Sequence, residues 1–449
     1  MTADADHRPA AGGRRTAAGV SRRSLIGLLT ADFISILGTR MSMLALPWFV
    51  LVTTGSAGKT GLIAFAELTP YVMVQGLGGP LVDRYGTWHA AITADVVAAL
   101  TFGLVPAVYL TGHLSLVVLA VLVAVAGAVR GAGDTARHVL VPGAAELAGT
   151  PLERASGLYD GVSRAAGMIG APLAGVLIAV TSAPMVVAVD AVTFVISAAV
   201  VALFVSRRVQ PAQLERDDAE SETGYLASLR EGFVHLSGDR LLVGIAVMVL
   251  VTNLLDQALS SVFAPVWAND VTGSAVALGL ISAAVALGAV VGNAVITWLG
   301  PRLPRRLTFA VGFLVGGSPR FFALAALSTV SPVLAVTFIG GLGVGGINPI
   351  LGAVEYERVP RHLQTRVLGA LGATAWAGMP VGALLGGALV DVVGLREALL
   401  TTGGIYLLTT LAPFVFPAWR GMDRRPGAGR RVGSGAEPDA DTEIRSTVR

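Results

Sequence analysis

Twelve apolar stretches, each long enough to cross a bilayer as a helix, fill most of this 449-residue chain. They run over 24–52, 61–79, 89–109, 115–137, 157–180, 185–205, 241–267, 276–299, 307–327, 333–356, 367–390 and 398–418. A hydrocarbon core of about 30 Å takes about 20 apolar helical residues to cross. With 54% hydrophobic and only 14% charged residues, the chain is too apolar for an ordinary soluble domain. In lipid every backbone polar group must be satisfied internally, so the expected fold is all-α, with twelve transmembrane helices (spans 1–12). Prolines inside the spans, such as Pro47, Pro106 and Pro319, fit this reading. Neighbouring membrane helices can satisfy the backbone groups they free.

The basic residues orient the spans. The polar segments 1–23, 80–88, 138–156, 206–240, 300–306, 357–366 and 419–449 carry most of the arginines. The six opposite loops hold only Lys59, the chain's one lysine, and Arg396. The positive-inside rule then places both termini in the cytoplasm of a plasma-membrane protein. The first apolar run is too long for a signal peptide, so no cleavage is expected. Cysteine is absent, which excludes disulfides and thiolate metal sites.

The longest internal hydrophilic segment divides the spans six and six. The expected organisation is an N-terminal tail (1–23), a six-helix bundle (24–205), a linker (206–240), a second bundle (241–418) and a disordered tail (419–449). Apolar residues at 225, 226, 229, 233 and 236 of the linker suit a helix lying on the membrane surface. The halves also echo each other. Val141-Pro142, Arg154 and Gly170-Ala-Pro172 recur in order as Val359-Pro360, Arg366 and Gly378-Met-Pro380. Parallel repeats of this kind place a transport site at their interface.

Between spans 2 and 3 stands Gly79-Pro80-Leu81-Val82-Asp83-Arg84-Tyr85-Gly86. This G-x-L-x-D-R-x-G loop resembles the signature of the major facilitator superfamily of secondary transporters. Further segments resemble its drug:proton antiporter-3 group of macrolide, multidrug and siderophore exporters. These are Glu67-Leu-Thr-Pro70-Tyr71, Asp190-Ala-Val-Thr-Phe194, Glu231-Gly-Phe and Gly340-Gly-Leu-Gly-Val-Gly-Gly-Ile-Asn348-Pro349. The chain departs from the pattern in three places. Thr87 and Trp88 replace two bases, the span-5 exporter element survives only as Ala171-Pro172-Leu-Ala-Gly175-Val176, and Arg130 is out of register with the usual span-4 arginine. The resemblance implies two pseudo-symmetric six-helix bundles working by alternating access. It implies proton-coupled efflux of drugs or other amphipathic small molecules, with siderophore or metabolite export as the alternative. Symport and a non-transporting receptor rank lower.

Gly79 and Gly86 are expected to let the loop turn tightly. Asp83, beside Arg84, is expected to accept from a helix N-terminus or an arginine of the other half when the inner side closes. The small-residue faces around Gly170, Pro172 and Gly175 in span 5, and Gly378, Pro380 and Gly382 in span 11, are expected to pack closely and to seal or bend during switching. Ionisable groups inside spans are costly and face the protein interior. Asp32 and Glu67 are the deep carboxylates expected to carry protons, the alternative being fixed pairing with Arg40 or another arginine. Arg40 and the span-7 stripe Asn253, Asp256, Gln257 and Ser260, at helical spacing, are expected to line a substrate cavity. Interhelical hydrogen bonding is the alternative for the stripe. Asp160 and Arg164 are expected to pair locally, and Asp190 to be structural.

Two motif matches fail on context. Thr53-Thr-Gly-Ser-Ala-Gly58-Lys59-Thr60 ends like a phosphate-binding loop but follows a membrane span, and Gly341-x-Gly343-x-x-Gly346 lies inside one. The expected partners are therefore a small-molecule substrate, protons and the lipid bilayer, without nucleotide, nucleic acid or cofactor. The protein is expected to work as a monomer and not as an enzyme, since no nucleophile–base or metal constellation is present.

Overall fold

A computed structural model describes residues 22–209, 225–299 and 302–423. Most of the expected N-terminal tail, the charged half of the linker and the tail from 424 onward lie outside the described residues. The described residues form helices and no strand. In the first half they are Arg23–Thr54, Ala57–Leu77, Thr87–Leu110, Leu116–Leu147, Leu152–Val180 and Ala183–Phe204. In the second half Arg240–Thr272, Arg305–Ala326, Val330–Arg358 and Leu395–Val415 cross with local breaks, and Ala275–Leu299 and Gln364–Val393 cross whole. Among the described residues eleven helices are long and apolar enough to span a membrane. Ala57–Leu77 is not among them, because Lys59, Glu67 and Gln75 lower its apolar content. It nevertheless packs between spans 4 and 11 as its position in the order requires.

Within the first half, span 1 packs on spans 5 and 6, span 2 on span 4, and span 3 on spans 4 and 6. Within the second, span 7 packs on span 11, span 8 on span 10 and span 9 on span 12. The halves meet mainly through two helix pairs, spans 2 with 11 and spans 5 with 8. Glycine makes this possible. A Cβ on Gly61 would overlap the Ala383 carbonyl, and one on Gly387 would lie 2.6 Å from the Ala57 carbonyl. On the opposite side, a Cβ on Gly175 would lie 2.7 Å from the Ala275 carbonyl.

All these approaches lie at the outer ends of the spans, away from the arginine-rich loops. One buried apolar cluster accordingly runs through both halves, from Phe49 and Leu51 to Phe263 and Trp267. At the inner end the first half keeps its own cluster around Leu28, Trp88 and Leu140, and the second a smaller one around Leu242 and Val367. The two halves are therefore closed at the end away from the arginine-rich loops and parted at the arginine-rich end.

A helix forms over Tyr225–Gly238 of the linker and packs on span 11, with Gly232 pressed against the Arg366 carbonyl and Glu231 paired with Arg366. The second half is ordered beyond the expected limit of 418. Trp419 and Met422 are buried, Trp419 against Phe309 and Gly244.

Candidate functional site

A cavity of about 990 Å³ opens between the halves. Spans 1, 2 and 5 wall it on one side, and spans 7 and 8 on the other. Asp160 and Arg164 of span 5 and Asn293 of span 8 carry it toward the inner end. Much of the wall is apolar, and Met43, Met168 and Met379 add flexible, polarizable surface.

Span 7 loses α-helical register at the cavity. Leu259–Phe263 form a π turn, and with the extra residue both Ser260 and Ser261 reach the wall. Asp256, Gln257 and Ser260 line this cavity. Asn253 does not. Its amide donates to the Ala375 carbonyl of span 11 at 2.8 Å, which is the interhelical alternative. Six residues before the π segment, it points along the helix–helix seam.

Each half sets one acid–arginine–tyrosine group beside the cavity, with Glu67 of the first and Asp256 and Arg320 of the second on its wall. In the first, Glu67 of span 2 pairs with Arg130 of span 4 at 2.5 Å, and the guanidinium lies over the Tyr71 ring. In the second, Asp256 pairs with Arg320 of span 9 at 2.6 Å and accepts from the Tyr406 hydroxyl at 3.3 Å. Tyr406 reaches it because Gly317 breaks span 9, and the ring occupies the space a Cβ would need. Arg40 faces the cavity with no carboxylate partner among the described residues, and its guanidinium donates to Met43 Sδ at 3.9 Å. Asp160 and Arg164 also border the cavity, and among the described residues they form no ion pair with each other. The helical i,i+4 spacing permits such a pair, but both side chains are exposed at the open inner end.

Arg137, which sequence reasoning passed over, organises the inner part of the first half. It is 1% exposed and pairs with Asp95 of span 3 at 2.6 Å and with Asp134 one turn earlier at 2.7 Å. Its Nε lies 3.6 Å from Asp32 of span 1. Asp32 accepts from the hydroxyls of Tyr159 at 2.9 Å and Ser163 at 2.8 Å, both on span 5. Asp95 also accepts from Ser197 of span 6. Asp134 accepts from the Tyr71 hydroxyl at 3.1 Å. A continuous polar chain thus joins Asp32, Arg137, Asp134, Tyr71, Arg130 and Glu67. One guanidinium serves three carboxylates, an excess of acid that a bound proton would offset. Neither deep carboxylate pairs with Arg40.

The comparisons with known proteins bear on what such a cavity belongs to. The family model of the Major Facilitator Superfamily matches residues 28–257 and 245–447. The chain belongs to that superfamily. It is 31% identical over 413 residues to the multidrug efflux pump Tap of Mycobacterium tuberculosis, covering 91% of this chain and 97% of that one. It is 27% identical over 405 residues to Tap of Mycolicibacterium fortuitum, covering 90% and 98%. Among solved structures, a D323A mutant of the nucleoside transporter NupG superposes with a TM-score of 0.73 at 12% identity, covering 90% and 100%. The protein is thus an all-α facilitator that transports small molecules.

The superfamily loop is a short helix, Gly79–Tyr85, and not an open turn. Gly86 supplies the bend with φ +90°. Gly79 has neither a positive φ nor a neighbour within 4 Å of a Cβ, so the tight turn expected of it falls to Gly86. Arg84 is exposed, and the side chain of Asp83 lies outside the described residues.

The small-residue faces divide their work. Gly170 packs on Arg40 and the Leu37 carbonyl of span 1, with Pro172 between it and the cross-half contact at Gly175. Gly378 and Gly382, flanking Pro380, pack on the Leu250 and Leu254 carbonyls of span 7, inside their own half. Asp190 is fully buried against Gly38 of span 1 and accepts from Thr193.

Proposed function

We propose that this facilitator exports amphipathic drugs from the cytoplasm in exchange for protons. The observation that carries the reading is the cavity itself, large, methionine-lined and shared by both halves, with Glu67 on its wall tied through Arg130, Tyr71 and Asp134 to Arg137 and Asp32. The export assignment also draws support from the likeness to Tap, a multidrug efflux pump, along nearly the full length of both chains. The inner, arginine-rich side is the cytoplasmic one.

The mechanism follows from charge balance. With the inner side parted, a drug enters beside Arg40, Asp256 and Ser260 and strips water from the Glu67–Arg130 pair. There the positive charge of the drug competes with a proton for the acids at the wall, so that binding of one favours departure of the other. Asp32, held among Tyr159, Ser163 and Arg137, gains or loses its proton with little movement. The six-helix units then rock about the contacts of spans 2 with 11 and 5 with 8, and Asp83–Arg84 holds the inner side shut. Outside, protons reload the acids and the cycle reverses.

Everted membrane vesicles, with ethidium added at their outward-turned cytoplasmic face, provide the test. Transport should follow an imposed proton gradient and stop when nigericin collapses it. Asp32→Asn and Glu67→Gln should each abolish gradient-driven transport while ethidium still binds. Transport that survives loss of the gradient, or full activity in both variants, would overturn the coupling.

A further inference from the structure

A second cavity, of about 340 Å³, lies wholly within the first half, where Asp32, Gln75, Asp134, His138 and Tyr159 form its polar wall. It shares no lining residue with the large cavity. Asp32 stands between the two. Ser163, on the large cavity, donates to one of its carboxylate oxygens, and Tyr159, on the small one, donates to the other. At the far side His138 is exposed at the inner end of span 4, its ring edge-on to Tyr159 with centroids 5.6 Å apart. With Asp32, Gln75, Asp134 and His138 on its wall, a cavity of this size has both the room and the hydrogen-bonding partners for water.

We propose that this second cavity is the path by which protons pass between the Asp32–Asp134 acids and the cytoplasm, separate from the path of the drug. The inference rests on the proton-coupled reading above and adds its route. A drug in the large cavity covers Glu67 and Ser163, both of which line it. The way back to the cytoplasm on that side is then filled by the substrate. The small cavity remains open, and the chain Glu67–Arg130–Tyr71–Asp134 brings the charge change to its wall.

The step balances simply. The O–H bond of the Asp32 carboxyl breaks, its electron pair stays on the carboxylate, and the proton passes through solvent to a ring nitrogen of His138. The imidazolium releases the proton from its other nitrogen to the cytoplasm. The groups that face Asp32 are Arg137 and Asp134 of span 4 and Tyr159 and Ser163 of span 5. Asp95 of span 3 and Ser197 of span 6 occupy the far side of Arg137. Arg137 receives the negative charge that the departing proton leaves.

The absence of cysteine makes the test direct. Single-cysteine variants Thr135→Cys and Val139→Cys, on the cavity wall, are treated with a membrane-impermeant methanethiosulfonate in everted vesicles holding saturating ethidium. Both should label despite the bound dye. Labelling should slow ethidium-driven proton release at least about tenfold while leaving ethidium affinity unchanged. The exposed substitution His138→Gln should do the same without a label, and it covers the case in which a cysteine variant misfolds. Unlabelled cysteines, or proton release at the wild-type rate after labelling and in His138→Gln, would overturn the route. Wild-type protein that releases no protons on ethidium binding would instead overturn the coupling on which the route rests.

Discussion

Asp391, at the outer end of span 11, accepts a hydrogen bond from the backbone amide of Gly58 at the start of span 2, 3.0 Å across the boundary between the halves. The Ser56 hydroxyl donates to the same oxygen at 3.3 Å while also accepting from the Lys59 amide as the helix N-cap. A carboxylate there meets unpaired amides and the positive end of the helix dipole. Glycine at 58 leaves room for this contact, since a Cβ there would push the Asp391 carboxylate away. Asp391→Ala should therefore weaken the outer closure by about 1–2 kcal/mol, or roughly five- to thirtyfold in the conformational equilibrium. Spin-label distances between the outer ends of spans 2 and 11 would report it. An unchanged distance distribution would show that the contact holds nothing shut.

Glycines at two kinds of helix contact should fail in different ways. Gly382 packs on the Leu254 carbonyl inside the second half, whereas Gly175 meets Ala275 across the halves. Gly382→Ala should cost about 1–3 kcal/mol of fold stability by overpacking. Gly175→Ala should leave the melting temperature nearly unchanged and slow ethidium transport instead. Thermal unfolding in detergent and vesicle transport separate the two; equal losses of stability would refute the division.

The spans were legible because hydrophobic length is written along the chain, and the half boundary because charge interrupts it. The partners of the buried acids were not. Arg137 stood where the apolar run stops, yet the helix continues to Leu147, turning that arginine from a terminal charge into a buried hub. Its i,i+3 spacing from Asp134 was visible. Its contact with Asp95 and its approach to Asp32 depend on how three helices rotate about their axes, which spacing along one helix does not encode. Regular spacing also misled at Asn253, where span 7 turns one polar residue to a neighbouring helix and then shifts register through a π turn.

Asp239 sets a pH signature outside the membrane. It caps span 7, accepting from the Leu241 amide at 2.8 Å and the Leu242 amide at 3.3 Å, and pairs with Arg358 at the end of span 10. Partial burial pushes its carboxyl up, but the Arg358 contact and the two amides outweigh it and hold the group below its ordinary value. A depressed carboxyl lends stability that is full above the unfolded-state value, about 4. That stability fades as pH falls through the lower folded-state value. Wild type should thus melt above Asp239→Asn at neutral pH, and the gap should close on acidification below about pH 4. A pH-independent gap would mean that the cap geometry, and not the charge, carries the effect.

The Asp256–Arg320 pair should be worth more to the fold when broken than when removed whole. Arg320 is buried, and Asp256 is partly open to the cavity, so deleting the guanidinium strands a carboxylate that Tyr406 alone cannot satisfy. Arg320→Ala should cost about 3–5 kcal/mol, the range for stripping one partner from a buried pair. Neutralising both, as Asp256→Asn with Arg320→Gln, keeps a hydrogen bond without the charge and should recover most of that loss. A double-mutant cycle on thermal stability measures the coupling. The same double variant removes the charges that face Arg40 across the cavity, so ethidium affinity should change even as stability returns. Stability losses that simply add would mean that the two side chains act independently.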